Sequence, residues 1–292
     1  FLINTVEAQH DQLRGYTLEH GLPQSQVYDM VQDSIGYLWL GTQGGGLSRF
    51  DGASFKSWNE KDGLLSNYIH ALHIANGVLY IGTRNGLSMR INNQFLNSES
   101  PQVLQILNRD DTVYLATVKG VYKVIDNKTV KAVSLHPTLD SSSINHIVFS
   151  DKAIWLATSS GLWKTSSFKN KNISRIEKGD FSALAQYKHN VYASTFNDGT
   201  FVIDTRGLED SFLIKEPLRI NALSIQNENE LWVATDNSGI TVIDTETHLE
   251  KFRLNTTNGL AVPHVRKVIR DKQSALWIAT SGGGFYKYFQ NN

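Results

Sequence analysis

The sequence predicts an all-β protein, a seven-bladed β-propeller with four antiparallel strands per blade. Three observations carry that expectation. One phrase returns seven times along the chain, its period is close to 40 residues, and the two chain ends each carry part of one unit.

The phrase is "LWLGTQGGGL" from Leu38, and it reappears as "LYIGTRNGL" from Leu79, "VYLATVKGV" from Val113 and "IWLATSSGL" from Ile154. It returns as "VYASTFNDGTF" from Val191, "LWVATDNSGI" from Leu231 and "LWIATSGGGF" from Leu276. Each copy has an apolar residue, Trp or Tyr, two small or apolar residues, then Thr. The threonines Thr42, Thr83, Thr117, Thr158, Thr195, Thr235 and Thr280 are 41, 34, 41, 37, 40 and 45 residues apart.

The elements follow in order. Residues 1–11 form an N-terminal segment, and "QLRGYTLEHGL" (Gln12–Leu22) reads as an orphan outer strand near Leu13–Glu19 followed by a turn. Blade one starts near Val27 with "VYDMVQD", turns at "SIG", and continues through "YLWLGT", "GLSRFD" and "SFKSW". Runs of Val, Ile, Leu and aromatic residues bounded by Gly, Asn, Asp and Ser read as strands. Blades two to six start near residues 69, 102, 144, 181 and 220. Blade seven, near 265, supplies only "VRKVIRD", "ALWIAT" and "GFYKYF", so the orphan strand near 13–19 is expected to complete it and leave no open edge. Residues 12–292 then form a single domain. Trp39, Trp155, Trp232 and Trp277 hold equivalent positions and are expected to pack between adjacent blades.

Composition narrows the function. Lys plus Arg equal Asp plus Glu at 28 each, so net charge is zero. That argues against nucleic acid and against an anionic membrane surface as partner. No cysteine is present, which removes disulfides, thiolate metal sites and cysteine nucleophiles. No apolar run is long enough to span a bilayer. The chain starts at Phe1, as a fragment or processed product would, and "FLINTVEAQ" reads either as the tail of a secretory signal with Val6-Glu7-Ala8 before the cut or as an arbitrary boundary.

Catalytic motifs fail one by one. His70-Ala71-Leu72-His73 lacks the helical setting of a zinc protease, and strand alternation sends one histidine to the channel and the other between blades. Gly44–Gly46 and Gly282–Gly284 lack the Lys-Ser/Thr of a phosphate loop and read as turns. No Gly-x-Ser-x-Gly elbow occurs. The turn Asp33-Ser34-Ile35-Gly36 resembles the Asp box of sialidases but has one residue too many before Gly, and Asp33, Asp151 and Asp271 read as turn caps. The sequons at Asn127, Asn172 and Asn255 are near chance for so polar a chain. No metal or cofactor is expected.

Around these residues the chain resembles the two-component regulator propeller family, whose repeat has "D-x-x-G-x-(L/I)-W-(L/I)-G-T" followed by a short loop and "G-L". "QDSIGYLWLGTQGGGLSRFDGASFKSWNEKDGLLSN" matches nearly throughout, and "HGLPQSQVYDMVQD" and "NGLAVPHVRKVIRDKQSALWIATSGGG" match well. Blades three, four and five depart: they lose the "GL" lead, and Ala or Ser replaces Gly before Thr. The resemblance implies a periplasmic sensor region of a membrane-bound histidine kinase, hybrid regulator or diguanylate cyclase. An oligosaccharide or other small molecule would be its stimulus, with a protein partner or receptor dimer as a further expectation.

Two other readings stay open, an interaction scaffold and a glycosidase- or lyase-type enzyme. A site is expected where the innermost strands begin, at the channel mouth. The residues there are Gln26, Tyr28, Asn67, Tyr68, His70, Gln102, Asn145, His146, Arg219, Asn221, His264 and Arg266. Amides, rings and arginine suit hydroxyl-rich or anionic ligands, although a ring of solvated polar residues would look the same. No carboxylate pair for glycoside hydrolysis is visible.

Overall fold

The computed structural model describes residues 13–126, 129–150, 153–169, 172–206, 212–214 and 219–289. They form seven four-stranded antiparallel sheets in sequence order around one axis, with one short α-helix at Pro137–Ser141. The innermost strands are Val27–Gln32, Ile69–Ala75, Val103–Arg109, Ile144–Phe149, Phe181–Tyr187, Ile220–Asn227 and Val265–Arg270. The seventh sheet is completed from the other chain end. Leu13–Tyr16 pairs with Phe285–Tyr288 in the register Leu13↔Tyr288 to Tyr16↔Phe285. This strand stops at Tyr16, short of the expected Glu19, because Leu18–His20 tightens into a 3₁₀ turn ended by Gly21 at φ 95°. The same device follows blade one, where Gly63 (φ 99°) ends the turn Glu60–Asp62. The leucines after these glycines, Leu22 and Leu64, are buried, which explains the "GL" lead. The segment 1–11, the cap Asp151 and the sequon at Asn127 lie outside the described residues.

The recurring phrase has a physical cause at each position. In six blades the Thr hydroxyl donates to a glycine carbonyl across the turn, as in Thr42 to Gly46 at 2.7 Å and Thr280 to Gly284 at 2.8 Å. In blade five Thr195 accepts the Asp198 N–H instead. The glycine opening the third strand is required twice over. Gly46 has φ 77°, and a Cβ there would lie 2.2 Å from the Trp58 carbonyl oxygen of the outer strand. The small residue before Thr faces the next blade: a Cβ on Gly41 would lie 2.5 Å from Ile69 Cγ2. Replacing Gly41 with Ala should therefore destabilise the protein by about 1–3 kcal/mol through overpacking. A lowered urea midpoint with an unchanged slope is the expected readout, and an unchanged midpoint would contradict it.

The core is divided among the seven interfaces between blades. Seven buried clusters occur, and each joins residues of two consecutive blades. Trp39 fills the interface of blades one and two, Trp155 that of four and five, Trp232 that of six and seven, and Trp277 that of seven and one. Tyr80 and Tyr192 fill two others, and Tyr114 packs against the cluster between three and four. Two tryptophans also anchor turns. Asp33 accepts N–H bonds from residues 35–37 and from the Trp39 indole (2.9 Å), and Asp271 accepts from residues 273 and 275 and the Trp277 indole (2.7 Å).

One irregularity is repeated in every blade and positions the site. Each innermost strand carries a β-bulge at its second residue: Tyr28, His70, Leu104, Asn145, Ser182, Asn221 and Arg266. A bulge sets two residues opposite one and breaks the alternation of faces. First and fourth residues consequently share a face. Val27 and Met30 enter one interface, as do Ile69 and Leu72, Val103 and Ile106, Ile144 and Ile147, Phe181 and Leu184, Ile220 and Leu223, and Val265 and Val268. The second residue of every strand and the third in five blades are left for the channel, while Ala71 and Ala183 enter the next inter-blade core.

Candidate binding site at the channel mouth

The bulge residues of all seven blades converge on one cavity of about 260 Å³ at the end where the innermost strands begin. Residues after the bulge, Asp29, Gln105, His146, Ala222 and Lys267, line it too, and Phe196 closes one side. Of the expected site residues, Tyr28, His70, Asn145, His146, Asn221 and Arg266 stand together here. Gln26, Asn67 and His264 do not line the cavity, contrary to expectation, because all three lie just before their strands. Asn67 is bound to Glu60 in the preceding turn, by Asn67 N–H to Glu60 Oε1 and Glu60 N–H to Asn67 Oδ1, both at 2.9 Å. His264 Nδ1 contacts the Asp236 carbonyl, and the Gln26 carbonyl accepts the Gln43 N–H.

The lining divides into residues committed to the scaffold and residues left for a ligand. Asn145 and Asn221 are committed: their amides donate to the Phe181 and Val265 carbonyls of the next blade at 2.7 and 2.8 Å. Gln105 likewise grips blade four, accepting the Ile147 N–H at 2.7 Å and donating to the Ile147 carbonyl at 3.1 Å. Asp29 ties three blades together. It accepts the Met30 and Leu72 N–H groups and meets Lys267 Nζ at 2.6 Å. Arg266 lies over the Tyr28 ring at 4.9 Å, donates to Asn221 Oδ1 and reaches Asp236 at 3.5 Å, and its Nε has no described acceptor. Tyr28 meets His70 edge-on at 5.3 Å, and His70 bonds Gln102 at 3.0 Å. Arg219 sits over Phe196 at 4.9 Å beside Asp180, whose carboxyl is raised by burial.

Both ring histidines are held neutral. Burial, reinforced by Arg84 and Arg266, lowers His70 to about 4, and burial with Lys267 nearby lowers His146 to about 3. His146 Nδ1 is buried with no described hydrogen-bond partner. A histidine lowered on folding takes up its proton more readily in the unfolded chain. Its contribution is therefore complete above the unfolded value near 6.5 and is lost as pH falls through the folded value. The melting temperature is expected to fall between pH 6.5 and 4, with His70 contributing up to about 3 kcal/mol. His70→Gln should flatten that slope, and an identical profile in the variant would show that other groups carry it.

Asp29, Lys267 and Gln105 belong to the lining but are not apparent under strict strand alternation, while Leu104 and Ser182 stand at the same strand position as Tyr28 without a residue type that marks a site. Their signal is the spacing of apolar residues at first and fourth positions in "VYDM", "IHAL", "VLQI", "INHI", "FSAL", "INAL" and "VRKV". His73 lies on its strand between Ala71 and Ala75, which enter the interface of blades two and three. It lines a second cavity of about 400 Å³ at the other end of the channel, bonded to Asn108 at 2.8 Å. Asp29, Gln105 and Lys267 line both cavities and form the waist between them. Among the described residues no cluster of three or more His, Cys, Asp or Glu is arranged to hold a metal ion, and no helix is long and apolar enough to cross a membrane.

Comparison with known proteins fits this architecture. Residues 21–44, the lead and first two strands of blade one, match the family described as two component regulator propeller. A 58-residue stretch is 45% identical to histidine kinase P4 of Formosa agariphila, covering 19% of this chain and 4% of that protein. The fold is similar to the extracellular domain of a putative one component system of B. thetaiotaomicron (TM-score 0.81, 19% identity, 97% of this chain and 40% of that one). It is similar to the extracellular domain of a putative hybrid two component system from the same organism (TM-score 0.78, 20% identity, 95% and 41%). Streptogramin B lyase shares the fold as well, with TM-score 0.74 and 16% identity over 96% and 97% of the two chains. The chain thus spans well under half the length of the receptor proteins it matches, and the family resemblance read from the repeat phrase is borne out.

Proposed function

We propose that this chain, a seven-bladed propeller carrying a two component regulator propeller repeat, is the extracytoplasmic sensor propeller of a signalling receptor and binds its stimulus without converting it. One observation carries the reading. A bulge repeated in every blade directs side chains from the whole ring into a single cavity, where Tyr28, His70, His146 and Arg266 bring aromatic and polar groups together. A phenol, two neutral imidazoles and a guanidinium suit a hydroxyl-rich or anionic molecule, such as an oligosaccharide fragment bearing an acidic group.

The enzyme reading has one observation in its favour. A neutral His146 with an unoccupied ring nitrogen shares the cavity with a guanidinium, as a base and an electrophile would. Isothermal titration against glycans and small organic anions separates the readings. Binding that weakens at least tenfold in Arg266→Ala and Tyr28→Ala, with the ligand recovered intact, supports the sensor. Turnover supports the enzyme. No binding by any compound, together with a protein partner recovered through this face, supports the scaffold.

A further inference from the structure

A second site lies at the interface of blades one and two, on the face away from the channel mouth. Trp39 and Arg49 of blade one, paired across adjacent strands, face Leu79, Arg90 and Phe95 of blade two. Arg49 lies over the Tyr37 ring at 4.1 Å, and Arg90 over the Trp58 and Trp39 rings at 4.6 and 5.2 Å. The two indoles stack at 5.4 Å.

Arg90 is anomalous for its place in the repeat. The residue paired with the one before the strand-two Trp or Tyr is Phe50 in blade one, Thr165 in four, Ile203 in five, Ile243 in six and Tyr288 in seven. Blade two puts a guanidinium there. It makes no ion pair or hydrogen bond to any described group, and its Nε is buried without an acceptor. Arg49, the nearest cation, makes no described ion pair and has Asp51 as its electrostatic neighbour, and burial with Arg49 alongside disfavours the charged state of Arg90. Asp33, the acid beside Arg90, already accepts three backbone N–H bonds and the Trp39 indole. Beside Arg90 opens a cavity of about 270 Å³, lined also by Asp33, Ser34, Asn92 and Asn93, with Arg49 outside its lining.

A guanidinium held on aromatic faces without a partner costs free energy unless an anion completes it, and its planar fork of donors matches oxyanions. We propose that this inter-blade cavity is a binding site for an oxyanion group, a carboxylate, sulfate or phosphate, held by Arg90, with Arg49 on the same Trp39 ring adding its charge and the Asn92, Asn93 and Ser34 side chains at the edge. It is separate from the channel mouth, and each site stands or falls without the other.

Trp39 and Trp58 flank Arg90, so intrinsic fluorescence reports on the site directly. Sulfate, phosphate and acetate are titrated at constant ionic strength against chloride. The expected result is a saturable fluorescence change for at least one oxyanion, weakened tenfold or more in Arg90→Gln and in Arg49→Gln and unaltered in Arg266→Ala. Arg49→Gln, at the more open edge, serves if Arg90→Gln does not fold. A response that matches chloride, or a saturable response unchanged in the arginine variants, overturns the assignment.

Discussion

Deleting residues 1–20 is expected to abolish the folded monomer. The deletion removes Leu13–Tyr16, every residue of which is paired with Phe285–Tyr288. It also removes material from two interfaces at once. Leu13 packs against the cluster between blades six and seven, while Tyr16 is buried between seven and one. The Tyr16 ring stacks on Phe285 at 5.1 Å and meets Phe50 at 4.7 Å. Losing one such aromatic costs about 3–5 kcal/mol, a large share of the stability of an ordinary domain. The strand that remains, "FYKY", would present an unpaired apolar edge, which templates association. Size-exclusion chromatography should show aggregate, and urea unfolding should lose its single cooperative transition. A truncated protein that stays monomeric with an unchanged melting temperature would show that ring closure does not depend on this strand. Tyr16→Ala in the full chain gives the graded version, with folding retained and the urea midpoint lowered.

The ring was legible in the sequence because its signal is repeated and local. Seven phrases at one spacing mark seven units, and turn glycines, terminal threonines and aromatic residues each report a constraint internal to a blade or its neighbour. The site was less legible for a specific reason. Strict alternation assigns Asp29 and Lys267 to the face opposite Tyr28 and Arg266, yet the bulge places all four in one cavity. Reading the strand starts as the mouth drew in Gln26, Asn67 and His264, which belong to the connecting segments. Asn145 and Asn221 illustrate the reverse difficulty. Both are in the cavity, but their amides are spent on backbone carbonyls of the next blade, a commitment that no residue type announces. The free surface is found only after the scaffold's own hydrogen bonds have been subtracted.

Replacing any one of Trp39, Trp155, Trp232 or Trp277 with Ala is expected to cost about 3–5 kcal/mol, because each is a large side chain filling an interface that cannot collapse without moving a whole blade. Trp232 and Trp155, at 0% and 2% exposure, should stand at the upper end. The chemistry at the indole nitrogen separates the four further. Trp39 and Trp277 donate to Asp33 and Asp271, carboxylates that also hold the preceding turns. Trp277→Phe keeps most of the volume but withdraws one donor from a buried carboxylate, and so should still cost about 1–3 kcal/mol. Urea midpoints with unchanged slopes would report these losses as stability, not altered compactness. Losses below about 1 kcal/mol in all four alanine variants would mean that the blades are not held together through these interfaces. The four would then be available as aromatic platforms for a ligand.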